Sequence, residues 1–318
     1  MLQKYLITIT GIALLFLSSC VKEDFSHCPT EITIIYHLSD FTPKDGFSLR
    51  ANPTSPATDA EKVIENLYLF LFSTSPEKTI KRYLESPTAS GEGFEGTTGN
   101  VKLYLSPAEA GTRDVYLVAN CADLKTALDG VTTATQLETV LRENANPLTM
   151  TTPLLMSGER LGYNFNESDS HHILDKITLN HAVAKLQINI SLKNPAHQSA
   201  TQTDYGYKFL NFGTKTFVLP KPSEQANTAE HTDWQPFAAP YVTVATVDGT
   251  ENGMVNSFIL TAYINEYDAT QTPASVQFRL PYNPVMPPPH FSDEIYTIQL
   301  PAAVERNTLY YYSNVYVH

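Results

Sequence analysis

The sequence predicts an all-β protein built as two tandem β-sandwich domains with a few short covering helices. Composition points there first: 18 tyrosines, 15 phenylalanines and 21 prolines suit short strands joined by turns, because aromatic side chains fit a pleated surface and proline interrupts pairing. Patterning agrees, since short apolar or alternating runs recur between polar breaks containing Gly and Pro. Length completes the prediction, because 318 residues exceed the usual span of one domain and can bury two cores.

The chain opens with Lys4, an apolar stretch over residues 7–17, and Leu17-Ser18-Ser19-Cys20. A positive start, a short apolar core and small residues before a cysteine make an export signal that ends in a lipid-attachment site. The apolar stretch falls short of the roughly twenty residues needed to span a bilayer. Residues 1–19 are therefore read as a lipoprotein signal peptide and Cys20 as the lipidated first residue of the mature chain. Residues 20–30 follow as a polar, charged tether at a bacterial envelope surface. Several acyl chains on Cys20 would anchor it stably, whereas one chain holds only marginally.

Residues 31–38 are rich in β-branched side chains and read as the first strand. Residues 39–62, loaded with Pro, Ser, Thr, Asp and Ala and containing Arg50-Ala51, read as a long, flexible, exposed connection. Residues 64–72 are almost continuously apolar and aromatic, too short for a typical helix, and read as a buried strand at the centre of a sheet. Strands follow at 79–84, 101–105 and 114–119, with a Gly-rich break at 90–100. Residues 122–128 and 134–143 carry helical patterning, the second with Leu137, Val140 and Leu141 on one face. Polar residues 164–172 precede renewed strand character over 173–192. A first domain of residues 31–172 and a second of 173–318 are expected, the second filled by strands at 207–212, 216–219, 241–247, 257–265, 275–282, 295–300 and 308–317.

Chemistry is sparse. A formal net charge of −12 opposes a phosphate backbone, so nucleic acid is not an expected partner. No nucleophile elbow or phosphate-binding Gly-Lys-Ser/Thr appears, and no catalytic residue, metal ligand or cofactor is assigned. His171-His172 beside Asp169 and Asp175 reads as a solvated loop, because adjacent strand positions face opposite ways and would seldom meet one ion. His181 reads as a satisfied structural residue. The proline-rich stretch 281–290 reads as a stiff loop that protects an edge or enters a subunit contact. With Cys20 lipidated, Cys28 and Cys121 remain, either as a disulfide outside the reducing cytoplasm or as two free thiols.

Several short motifs stand in a telling order. Cys20 with Lys22-Glu23-Asp24 comes first, then Cys28-Pro29 leading into a strand, then the Ile64 to Phe72 run. Met156-Ser157-Gly158 is followed by Leu179-Asn180-His181-Ala182-Val183-Ala184-Lys185-Leu186, and the end carries Arg306-Asn307-Thr308-Leu309-Tyr310. Together they resemble the type V fimbrial subunits of Bacteroidota, the fimbrillin superfamily, above all its anchor-type lipoprotein members. His181 departs from the pattern, where arginine is common. The resemblance implies a transthyretin-like sandwich architecture, a non-enzymatic role, and assembly with other fimbrial subunits by strand complementation. It places the protein at the outer membrane and in a cell-surface fimbrium, with host or bacterial surface receptors as further partners. In polymerising members an arginine-specific protease cuts after the first strand, which here would fall between Arg50 and Ala51; an ordinary loop arginine is the plain alternative. Anchoring is expected ahead of a shaft or tip role. The alternative from a different class is a surface glycan-binding lipoprotein.

Overall fold

The computed structural model describes residues 30–44, 57–85, 93–94, 99–106, 109–143, 147–165, 171–199, 204–221, 231–237, 241–245, 251–268, 272–282 and 292–317. Cys20, Cys28, Arg50 and Ala51 lie outside them, as does most of the 281–290 stretch. The first half supplies β1 (Thr30–Leu38), β2 (Thr42–Pro43), β3 (Leu67–Phe72), β4 (Ile80–Leu84), β5 (Gly93–Phe94), β6 (Gly99–Leu105), β7 (Thr112–Ala119), β8 (Leu141–Arg142), β9 (Met156–Asn164) and β10 (His171–His181). The second half supplies β11 (Val183–Leu192), β12 (Gly206–Leu210), β13 (Thr216–Phe217), β14 (Gln235–Pro236), β15 (Tyr241–Ala245) and β16 (Glu251–Asn265). After these come β17 (Tyr267–Asp268), β18 (Ser275–Tyr282), β19 (Ser292–Gln299), β20 (Ala303–Val304) and β21 (Thr308–Val317).

The first sheet runs β4-β3-β7-β9-β10-β1-β6-β5. β10 pairs with β1 as far as Leu179 and with β9 at Asn180 and His181, so the sheet folds over at β10 and closes on its own core. Alternate residues fill that core: Ile32, Ile34 and Tyr36 from β1, Leu67, Leu69 and Leu71 from β3, and Val101, Leu103 and Leu105 from β6. The other residues of β3 (Tyr68, Phe70 and Phe72) pack beneath two short helices, α1 (Lys125–Asp129) and α2 (Ala134–Leu137), whose Leu128 and Leu137 cover them. Burial on both faces is why this strand is apolar at every position.

The expected helix over 134–143 stops at Leu137. Thr133 and Gln136 cap its start with a capping box, but the Val140 carbonyl accepts from Val218 N–H at 2.9 Å and β8 pairs with β13. Pairing with a distant strand overrides the local helical pattern.

The second half packs a sheet ordered β15-β16-β11-β21-β2 against one ordered β14-β12-β18-β19. Leu186, Ile188 and Ile190 of β11 meet Phe209, Val276 and Phe278 across this second core. β2, from the front of the chain, lies parallel to β21 at the edge of this sheet. The chain passes from the first sheet to the second at Ala182, between β10 and β11, so the boundary expected at residue 173 falls inside a strand of the first sheet. Residues 173–192 hide this switch because both strands share one composition. His172 is buried in β10 with an edge contact to Phe165, which corrects the solvated-loop reading: the pair belongs to a strand, and its second imidazole faces the core.

Candidate functional site

β1 is an interior strand of the first sheet, paired along its length on both edges. It runs antiparallel to β6 from Thr30 against Leu105 to Tyr36 against Gly99, and parallel to β10 from Glu31 against His171 to Leu38 against Leu179. Ile32, Ile34 and Tyr36 are wholly buried. Taking β1 away would leave β6 and β10 about two strand spacings apart, roughly 10 Å, with a row of unpaired N–H and C=O groups on each.

Beyond β1 the chain enters a seam between the two cores. Phe41 is buried against His181, the rings stacked with centroids 4.3 Å apart. His181 Nδ1 meets Asn307 Oδ1 at 2.8 Å and Nε2 meets the Glu61 carbonyl at 3.0 Å. Asn307 is oriented by its other contacts: Oδ1 accepts from the His181 backbone N–H, and Nδ2 donates to the Asp40 carbonyl at 3.1 Å. Both histidine nitrogens therefore have an oxygen within hydrogen-bond reach, one from each half of the molecule.

Glu61 and Lys185 form the charged part of the seam. Lys185 Nζ lies 2.9 Å from Glu61 Oε1 and 3.0 Å from Oε2. The Tyr263 hydroxyl donates to Oε1 at 2.6 Å, and Thr58 N–H donates to Oε2 at 2.6 Å. Burial pushes the Glu61 carboxyl up, but hydrogen bonds from Tyr263 and Lys185 outweigh it and hold the group below the usual carboxylate range. A Thr58 capping box builds the turn that presents Glu61. Residues 39–62 were expected to be an exposed connection, yet both ends of that segment are built into the seam.

The Arg306-Asn307-x-x-Tyr310 motif has a structural explanation. Arg306 pairs with buried Glu266 and donates to the carbonyls of Phe217, Val218 and Leu219. Asn307 takes a left-handed backbone, φ +55°, which asparagine tolerates better than most residues. The buried Tyr310 hydroxyl accepts from Glu305 N–H. Each residue turns the chain into β21 at a point where the two halves touch.

Cys121 is buried as a free thiol that donates to the Val118 carbonyl at 3.4 Å. Burial pushes it up to about 12, so it is unreactive at neutral pH. It sits two residues after Ala119, which pairs with Met156, which pairs with His181. Leu38 lies at this same end of the first sheet, and Thr30 stands roughly 26 Å away along β1. Cys28, the other half of the expected disulfide, lies outside the described residues. Trp234 lies on the outer side of the second half with Lys208 Nζ 5.0 Å and Arg279 Cζ 5.4 Å from its ring centroid.

Among the described residues no three His, Cys, Asp or Glu side chains gather as a metal site would need. The buried polar groups of the seam join strands of the two halves, and the class of protein this arrangement defines is a β-sandwich protein with two packed cores. Residues 182–315 match the family model described as minor fimbrium tip subunit MfA4, C-terminal, and residues 48–204 match that of the major fimbrial subunit protein FimA. The chain is 33% identical over 338 positions to the minor fimbrium tip subunit MfA4 of Porphyromonas gingivalis, covering 98% of this chain and 99% of the relative. It belongs to the type V fimbrillin family of Bacteroidota, whose members are structural subunits of cell-surface fimbria. A crystal structure of a Parabacteroides distasonis protein assigned to cell adhesion shares the fold, with a TM-score of 0.56 at 14% identity over 84% of this chain and 80% of that one. A Bacteroides eggerthii protein with the same assignment aligns at 17% identity and a TM-score of 0.47, over 85% and 79% of the two chains.

Proposed function

We propose that the chain is exported as a lipoprotein acylated on Cys20, is cut between Arg50 and Ala51 at the cell surface, and joins a fimbrium by exchanging β1 for a strand of a neighbouring subunit. The observation that carries this reading is the position of β1: central in the first sheet and buried on its inner face, yet continuous with the rest of the chain only through residues 45–56, which hold Arg50. A cut there separates β1 and β2 covalently from everything that follows. The exposed edges of β6 and β10 would then accept an incoming strand, whose backbone restores the ladder while alternate side chains fill the emptied pockets.

Identity to a minor fimbrium tip subunit along nearly the full length of both chains favours an accessory, tip-type position over the anchoring one expected at first. Fibre-bound protein recovered from its own organism should begin at Ala51, and an Arg50→Ala variant should stay at the outer membrane with lipid on Cys20 and fail to enter fibres. Fibre-bound chains that keep lipidated Cys20 and β1 would refute the processing step.

A further inference from the structure

We infer that the seam between the two sandwiches is a second recognition subsite for the complementing strand, and that it selects an aromatic side chain at the place Phe41 now fills. This deepens the strand-exchange reading and rests on it.

Phe41 lies five residues beyond Tyr36, past the end of β1, and is 2% exposed. Its ring stacks on the His181 imidazole at an interplanar angle of 11°, lies 6.4 Å from the Tyr263 ring and has the Lys185 ammonium 5.6 Å from its centroid. Ala57, Leu154, Val183 and Leu309 complete the walls. The backbone around Phe41 is held as firmly: the Asp40 carbonyl accepts from Asn307 Nδ2, Thr42 N–H donates to the Asn307 carbonyl at 2.9 Å, and Lys44 N–H donates to the Leu309 carbonyl at 3.2 Å.

All of these groups on residues 40–44 lie on the β1 side of Arg50. Loss of β1 after a cut therefore also empties this seat. It would leave bare a flat imidazole face, a lysine ammonium without its ring and an asparagine amide without its carbonyl. A cleft of about 330 Å³ lies beside the seat and shares Met150, Leu154 and Val183 with the surroundings of Phe41. The chemistry names its occupant. A flat ring below and a cation nearby favour an aromatic over an aliphatic side chain, and Asn307 wants a peptide carbonyl just before it. The fitting partner is an extended segment with three apolar side chains at alternate positions, in the manner of Ile32, Ile34 and Tyr36, followed five positions later by an aromatic residue.

The test uses the full chain with a specific protease sequence in place of Arg50-Ala51. After cleavage, labelled peptides spanning residues 29–44 are exchanged against the resident fragment and their equilibrium occupancy measured. The wild-type peptide and Phe41→Tyr should enter comparably, Phe41→Leu should compete about tenfold less well, and Phe41→Ala about a hundredfold less well. An Ile34→Asp peptide should fail through the first groove. If the wild-type peptide never enters, strand exchange itself is wrong. If it enters and Phe41→Ala enters equally well, strand exchange stands and the aromatic subsite is overturned.

Discussion

Replacing Lys185 by methionine probes the seam where its charges are most deeply buried. The side chains of Lys185 and Glu61 are 4% and 1% exposed, so removing the ammonium strands a carboxylate that water does not reach. Tyr263 and Thr58 would still donate to it, but neither carries a charge. Breaking a buried pair from one side costs about 3–5 kcal/mol, a large part of a total domain stability of about 5–15 kcal/mol. At about 2–4 °C per kcal/mol for domains of this size, the melting temperature should fall by roughly 6–20 °C. Thermal melts and urea titrations of Lys185→Met, Glu61→Gln and the double variant give the coupling directly. The double variant should recover much of the loss, because a buried pair replaced on both sides is often nearly neutral. A loss below about 1 kcal/mol for Lys185→Met, or a double variant equal to the sum of the singles, would show that the pair does not join the halves as argued.

Glu61 also sets a pH dependence. Its folded carboxyl titrates below its unfolded value, so its stabilising contribution is complete above that unfolded value, about 4.3, and is lost as pH falls through the folded one. Urea midpoints should drop as pH falls below about 4.3, and Glu61→Gln should flatten the drop; identical slopes would contradict the assignment. Gly158→Ala should destabilise by about 1–3 kcal/mol or more, since a Cβ there would come within 2.2 Å of the Thr178 carbonyl oxygen and 2.9 Å of Ile177 Cγ2; an unchanged melt would rule out that close approach. Ile34→Ala, in a fully buried position of β1, should cost about 2–5 kcal/mol by chemical denaturation. Cys121, being wholly buried, should resist a maleimide in the native protein and label fully once unfolded without reductant, and labelling at the same rate in the native protein would contradict its burial.

Strand positions were legible because side-chain alternation is a local property: Ile32, Ile34 and Tyr36 announce a half-buried strand, and the unbroken Leu67–Phe72 run announces one covered on both faces. The motifs at Leu179 to Leu186 and Arg306 to Tyr310 were legible as motifs, though not what they hold. Phe41 and Glu61 gave no such signal. A single aromatic and a single carboxylate in a stretch of Pro, Ser and Thr have no period, and they read as exposed loop.

The tertiary structure alone decided their roles. Asn307 reaches Asp40 across 267 positions and Lys185 reaches Glu61 across 124. Likewise, the passage at Ala182 divides one uniform run between two sheets, and Leu141 and Arg142 leave their helix for a strand because β13 is there to pair with. The sequence by itself determined which segments extend and which faces are apolar, since those depend on neighbours a few residues apart. Which strand lies beside which, and which buried charge meets its partner, depends on contacts that exist only after both sandwiches have closed.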